Sequence, residues 1–345
     1  MLRDRFSVAL NAAVAVTVLA CAACAPSGEP AADAGPMLMI ERQGSLAGGG
    51  SIIGDARQAS LHCDHGVVTY QIPAQARATN LFMWHSASAA AWLNRWDGGE
   101  GFQSIFLRRG YPVYIWDGPR VGRADWGCEA FTYEPALGQD QRNFISWRFG
   151  SAYPNWFDGV QFPTDDEEAY HQAMRARYQE FDTVENILLQ SDAGAAMIDR
   201  IGPSVALTNS AGGLRALMAA LKSDNLRAVV AYENVGYVFP IGEGPDIEQG
   251  PYGPIEVPLD EFMALTEIPI QLVWGDNVEQ VETFAAALEQ SRDFVEVVNR
   301  HGGQAEILIL SDAGLHGNTH IPFADMNNVA VADLLSAFLS EHGLD

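Results

Sequence analysis

Ser204-Val205-Ala206-Leu207-Thr208-Asn209-Ser210-Ala211-Gly212-Gly213-Leu214-Arg215-Ala216-Leu217-Met218-Ala219-Ala220 decides how this chain folds. Its first residues form a short apolar run of the kind that fills a sheet interior, and its last ten are an Ala/Leu-rich helix former. Between them stands one serine. A strand that turns into a helix through a serine is the geometry of a nucleophile elbow. The tight turn lifts the hydroxyl above the sheet, and the N–H groups at the helix start face the reacting oxygen. Strand and helix approach closely at such a turn, so small residues are needed there, and Ala211, Gly212 and Gly213 meet that need. Thr208 stands where G-x-S-x-G has its first glycine, so the pattern is incomplete. Ser210 as an ordinary helix N-cap is the competing account.

Outward from the elbow, apolar strands alternate with helical segments. Strands are expected at 67–73, 80–84, 112–116, 204–208, 228–232, 270–274 and 305–310, with helices at about 101–109, 168–200, 212–223, 278–301 and 326–341. This alternation predicts an α/β fold with a mostly parallel central sheet and helices on both faces. Two stretches interrupt it. Residues 118–167 hold Trp126, Phe131, Tyr133, Phe144, Trp147, Phe149, Tyr153, Trp156, Phe157 and Phe162 among Gly and Pro, and 234–262 is also Gly/Pro-rich. Long excursions within a compact domain are usually functional, so the aromatic one is read as a cap insertion. Its aromatics serve either as a pocket wall or as packing that seats the insertion on the body.

A serine hydroxyl needs a base, itself oriented by an acid. After the last strand the chain reads Ser311-Asp312-Ala313-Gly314-Leu315-His316-Gly317-Asn318-Thr319-His320, so His316 and His320 compete for the base. Glu233 and Asp276 each follow a strand and compete for the acid, and position alone favours Asp276. The strand ending at Trp84 runs into His85-Ser86-Ala87-Ser88, from which one backbone N–H, beside that of Ala211, would face a developing oxyanion. His85 is read as orienting that loop.

The N-terminus reads as an export signal. Arg3 and Arg5 precede a nearly wholly apolar stretch from Phe6 to Ala25, and 26–50 reads as a flexible Pro/Gly/Ala-rich tether before a domain spanning 51–345. Val18-Leu19-Ala20-Cys21 fits a lipobox, which would leave a lipid on Cys21; cleavage after Ala22 or Ala23 is the alternative. Export implies a periplasmic, secreted or envelope-anchored protein, with membrane contact only through that lipid. In an oxidising compartment Cys63 and Cys128 form a plausible disulfide pair. Hydrophobic residues make up 48% of the 345 and charged residues 19%, the profile of a packed globular chain. A formal charge of -24 without any basic run disfavours nucleic-acid partners.

Several further segments resemble one family. Tyr70-Gln71-Ile72-Pro73, Phe106 to Tyr114, Trp147-Arg148-Phe149-Gly150, Gln161-Phe162-Pro163, Gly317-Asn318-Thr319-His320, Asp325-Met326-Asn327-Asn328 and Ala332-Asp333-Leu334-Leu335 are similar, in order and spacing, to the secreted bacterial esterases of the α/β-hydrolase superfamily typified by the Alcaligenes esterase. The resemblance runs from about residue 65 to the C-terminus. It implies an α/β-hydrolase fold, a similarly imperfect elbow, Ser210 as nucleophile, His320 as base and Glu233 rather than Asp276 as acid. By position it implies Ala87 as the loop's oxyanion donor. The typical member carries His-Gly and two adjacent cysteines there; His85-Ser86-Ala87-Ser88 excludes a vicinal disulfide.

The leading expectation is a serine esterase that needs no cofactor and takes a small, apolar ester. A lactone or carbon–carbon bond hydrolase, or a binding protein that has lost catalysis, could share this fold. A metal site at His62-Cys63-Asp64-His65 is the remaining alternative; neighbouring residues at a strand entrance point in alternate directions, which disfavours it, so no metal is expected.

Overall fold

The structure is a computed structural model that describes residues 37–86, 88–181 and 183–345. The expected signal segment, the lipobox at Cys21, the first part of the tether and Ala87 lie outside the described residues. Eight strands form the central sheet: β1 (Ile40–Gly48), β2 (Gly66–Pro73), β3 (Asn80–His85), β4 (Val113–Asp117), β5 (Ser204–Asn209), β6 (Leu226–Tyr232), β7 (Pro269–Trp274) and β8 (Gln304–Ile309). They lie in the order β1-β2-β4-β3-β5-β6-β7-β8; β2 runs antiparallel to both neighbours, and every other pair from β4 to β8 is parallel.

The central strands alternate between two cores. Leu81 and Met83 of β3 and Val205 and Leu207 of β5 face one cluster, shared with α1 (Phe102–Arg108) and the C-terminal helix Asn328–Glu341. Phe82, Trp84 and Ala206 face the other, shared with helices Val184–Ile201, Ala211–Ala220 and Glu282–Arg300. A period of two on a sheet covered on both sides makes every central side chain apolar, as the runs in the sequence require. Register pairs His85 with Asn209 and Asn209 with Tyr232, so the carboxyl ends of β3, β5 and β6 finish at one edge. Open α/β sheets bind ligands at that edge.

Two expectations need correction. The second half of the presumed tether is β1, paired along β2 from Ile40–Pro73 to Gly48–Gly66. An edge strand needs few apolar side chains, and here small residues let it lie across large ones: a Cβ at Gly44 would stand 2.8 Å from the Tyr70 hydroxyl. The single helix expected over 168–200 is two, α2 not being among them: after α2 (Gln139–Ser146) come α3 (Glu167–Arg175) and α4 (Val184–Ile201), joined by residues 176–183. The break is set by a cap, since Thr183 Oγ1 accepts from Asn186 N at 3.1 Å. In the excursion at 234–262, Val238–Pro240 lies beside Ile255–Val257, and Tyr237, Val238, Phe239 and Phe262 join the second core.

The aromatic insertion divides in two. Phe144, Trp147, Phe149 and Phe162 are buried in the first core, so packing accounts for them. Trp126 and Tyr133 remain 60% exposed. Their loop is held at its base: Cys63 and Cys128 are joined by a disulfide, Asp64 N donates to Trp126 O at 2.8 Å, and the Asp64 carboxylate receives Arg120 at 2.8 and 3.0 Å. With Cys63 and Asp64 so occupied and His62 exposed, the described residues contain no group of three His, Cys, Asp or Glu disposed to hold a metal.

Candidate active site

Ser210 sits between β5 and α5 (Ala211–Ala220) at φ 53° and ψ -132°, a left-handed conformation rare for a residue with a side chain. Its N–H donates to Tyr232 O at 3.1 Å, and its carbonyl accepts from Gly213 N at 3.0 Å, which starts the helix while the hydroxyl stays free of any capping bond. The incomplete elbow pattern has a steric explanation. A Cβ at Gly212 would stand 2.4 Å from Thr208 Oγ1 and 2.7 Å from Trp84 O, so the bulk taken at 208 is accommodated by its absence at 212. Gly212→Ala should therefore destabilise the fold by about 1–3 kcal/mol, because the Trp84 carbonyl belongs to a central strand and cannot yield. Chemical denaturation would read this as a lower midpoint, and an unchanged midpoint would refute the close approach.

His320 is buried and hangs from two backbone anchors: its N–H donates to Trp147 O at 3.0 Å, and its carbonyl accepts from Asn209 Nδ2 at 2.9 Å. Asn209 Nδ2 also reaches Tyr232 O at 3.1 Å, so the residue before Ser210 ties the histidine loop to the sheet edge. His320 Nδ1 lies 3.6 Å from Glu233 Oε2, just beyond hydrogen-bond length, and its ring packs on Phe284 at 4.6 Å between centroids. Asp325 holds the same loop by accepting from Thr319 N at 2.7 Å, Thr319 Oγ1 at 2.8 Å and Asn318 Nδ2 at 3.1 Å. Burial pushes the Asp325 carboxyl up to about 7 against these donors.

Glu233 is fully buried at φ 56°, with Oε1 accepting from Gly275 N at 2.6 Å and from Arg148 at 2.5 Å. Arg148 is itself fully buried and also donates to Asp276 O at 2.6 Å. Burial resists ionisation of Glu233, but the Arg148 charge, His320 and the Gly275 N–H outweigh it and hold the carboxyl below its usual range. Burial conversely pulls His320 down, with Glu233 opposing in part. The pair is thus a carboxylate beside a neutral imidazole.

The side chains of the other candidates make different contacts. The Asp276 carboxylate accepts from Gly317 N, which fixes the turn before His320 without meeting the imidazole. His316 is exposed, and its carbonyl accepts from Gln161 Nε2 at 3.1 Å. His85 Nδ1 accepts from Ser88 N at 2.8 Å, which orients the loop after β3; burial, His320 and Arg215 lower its pKa to about 3, so it stays neutral. Ser86 is buried, and its N–H lies 3.5 Å from where a Gly212 Cβ would be, so this loop crosses closely over the first turn of α5, beside Ala211.

Ser210, His320, His85, Ser86 and Asn209 share a cavity of about 240 Å³, which Trp147, Asn143 and the 177–180 segment also line. That segment is tied to the elbow helix by Glu180, which accepts from the buried Arg215 at 2.8 Å. Arg148, Asn209, Asp325 and the Arg215–Glu180 pair escaped sequence reasoning as site residues. The signal for Arg148 was a lone cation inside an aromatic run, Trp147-Arg148-Phe149, where burial demands a partner.

No protein-family model matches the chain. A probable secreted lipase, phiG, of Fungal sp. (strain ATCC 74256) is 25% identical over 289 residues, which span 72% of this chain and 78% of that protein. Among solved structures, a novel bacterial esterase determined at atomic resolution superposes with a TM-score of 0.74 over 91% of this chain and 99% of its own, at 23% identity. The chain has the α/β-hydrolase fold.

Proposed function

We infer that this chain is a serine hydrolase that cleaves carboxylic esters of small molecules through an acyl-enzyme. The observation that carries the reading is the shared cavity: a serine held on a strained turn at a helix start, and a buried neutral imidazole whose far nitrogen faces a buried carboxylate. Ser210 Oγ attacks the ester carbonyl while His320 Nε2 takes its proton. The backbone N–H groups of Ala211 and Ala87 receive the oxyanion, and the C–O bond breaks as His320 returns the proton to the leaving alcohol. Water repeats the sequence on the acyl-enzyme and releases the acid. Glu233 fixes the imidazole tautomer and stabilises the imidazolium; Arg148 keeps Glu233 ionised. No cofactor enters these steps. The similarity to a protein described as a secreted lipase supports an exported protein, in line with the apolar stretch after Arg3 and Arg5; lipid attachment at Cys21 is an extension of that reading.

A fluorophosphonate probe tests this directly. Stoichiometric labelling of the folded chain, mapped by peptide mass spectrometry to Ser210, is the expected result; an unlabelled folded chain would instead favour a binding protein on a hydrolase body. The pH profile provides an independent check. A general base works only when neutral, and burial lowers the His320 pKa from 6.5, so the acid limb of kcat/KM should have its midpoint below 6.5. A midpoint above that value would mean that Glu233 outweighs burial, or that another group is the base.

A further inference from the structure

We propose that the cavity between Trp126 and Phe181, across the Arg177–Gln179 segment from Ser210, is a second substrate subsite that holds an aromatic ring of the ester remote from the scissile bond. The proposal rests on the esterase reading and adds the class of substrate to it.

The two cavities have a common wall, since Arg177, Tyr178 and Gln179 line both. The one at Ser210 offers about 240 Å³, below the roughly 300–1,000 Å³ usual for a small-molecule site. Its neighbour offers about 610 Å³. On the proposed reading, a substrate larger than a short ester extends beyond the first cavity, around the Arg177–Gln179 segment and into the second.

The lining of the second cavity indicates what it takes. Trp126 and Tyr133 are exposed at 60% each, whereas Phe144, Trp147, Phe149 and Phe162 of the same insertion are buried in the core. Phe131 and Phe181, which line the same cavity, meet edge-on at 4.7 Å between centroids. Exposed aromatic faces gathered in a concavity suit a flat ring, which stacks with little loss of rotamer freedom. Two guanidinium groups also line the space, but each is already neutralised: Arg120 by Asp64 at 2.8 and 3.0 Å, and Arg177 by Asp140. An anion therefore finds no unsatisfied cation there.

The subsite is also fixed relative to the nucleophile. The disulfide between Cys63 and Cys128 and the Asp64 N–Trp126 O bond of 2.8 Å anchor its outer wall. The Glu180–Arg215 bond ties the dividing segment to α5, the helix that begins at Ser210. A preformed wall removes the ordering cost that a loose loop would impose on binding.

The test compares ethyl acetate, ethyl 4-phenylbutyrate and 4-phenylbutyl acetate, with acid release as the readout for each, in the native chain and in Trp126→Ala and Tyr133→Ala. The ratio of kcat/KM for a phenyl ester to that for ethyl acetate should fall about tenfold in both variants, mainly through KM, as for loss of an aromatic anchor. A variant that merely folds poorly would lower both rates and leave the ratio unchanged. The placement is checked without turnover by calorimetric titration of Ser210→Ala with 4-phenylbutyl acetate, where adding Trp126→Ala should weaken binding by a similar factor. Unchanged ratios and unchanged binding would overturn the subsite even if every ester is hydrolysed. Binding that depends on Trp126 without any hydrolysis by the native chain would preserve the subsite and overturn the esterase reading.

Discussion

Ser210→Ala should abolish ester turnover, lowering kcat/KM by about 10⁴-fold or more, while leaving thermal stability unchanged. The two halves of this expectation discriminate between the accounts of Ser210. A serine that merely caps a helix accepts a bond from the first turn, and its loss costs about 0.5–2 kcal/mol. Here the hydroxyl makes no capping bond, and α5 is started by the Ser210 carbonyl, which alanine retains. The strained φ of 53° is no worse for alanine, because both residues carry a Cβ. Measurement of turnover on a simple ester together with the denaturation midpoint separates the cases. Retained turnover with a lowered midpoint would restore the capping account and end the proposed mechanism.

Glu233→Gln should be severe in two separable ways, and Asp276→Asn should be mild. Glutamine in place of the carboxylate removes the charge that stabilises the imidazolium and can present the wrong hydrogen-bonding group to Nδ1; in serine triads such a change costs about 10⁴-fold in kcat. It also leaves Arg148 fully buried without its counter-charge, and breaking a buried pair typically costs about 3–5 kcal/mol. A double variant, Arg148→Met with Glu233→Gln, should regain much of the lost stability but none of the activity. Asp276 contributes an acceptor to Gly317 N, which an amide oxygen can still supply, so Asp276→Asn should lose at most about tenfold. A larger loss in Asp276→Asn than in Glu233→Gln would transfer the acid's role to Asp276.

The elements that were legible in the sequence share a short range. Each of the seven expected strands corresponds to a strand of the sheet to within two residues, because apolar runs bounded by Gly and Pro are read from neighbouring positions. The elbow was legible for the same reason, although Thr208 concealed it. What escaped had no local signal. β1 is held by backbone bonds along β2 and buries few side chains of its own, so its composition resembles that of a tether. The break at 176–183 shows only as a capping threonine within an otherwise helical run.

Local order along the chain was sufficient to determine an α/β sheet with a serine at a strand-to-helix turn, two histidines after the last strand and two acids after earlier ones, since periodicity and turn chemistry act within a few residues. Only the tertiary structure sets which of those candidates stand together. Glu233 meets His320 because a left-handed turn aims its side chain there, and it remains charged because Arg148, 85 residues earlier in the chain, is buried against it. Asp276, on the next strand's end, is turned to the backbone of Gly317 instead. Such choices depend on where a side chain points after distant segments have packed, and a buried charge is tolerated only where packing delivers its partner.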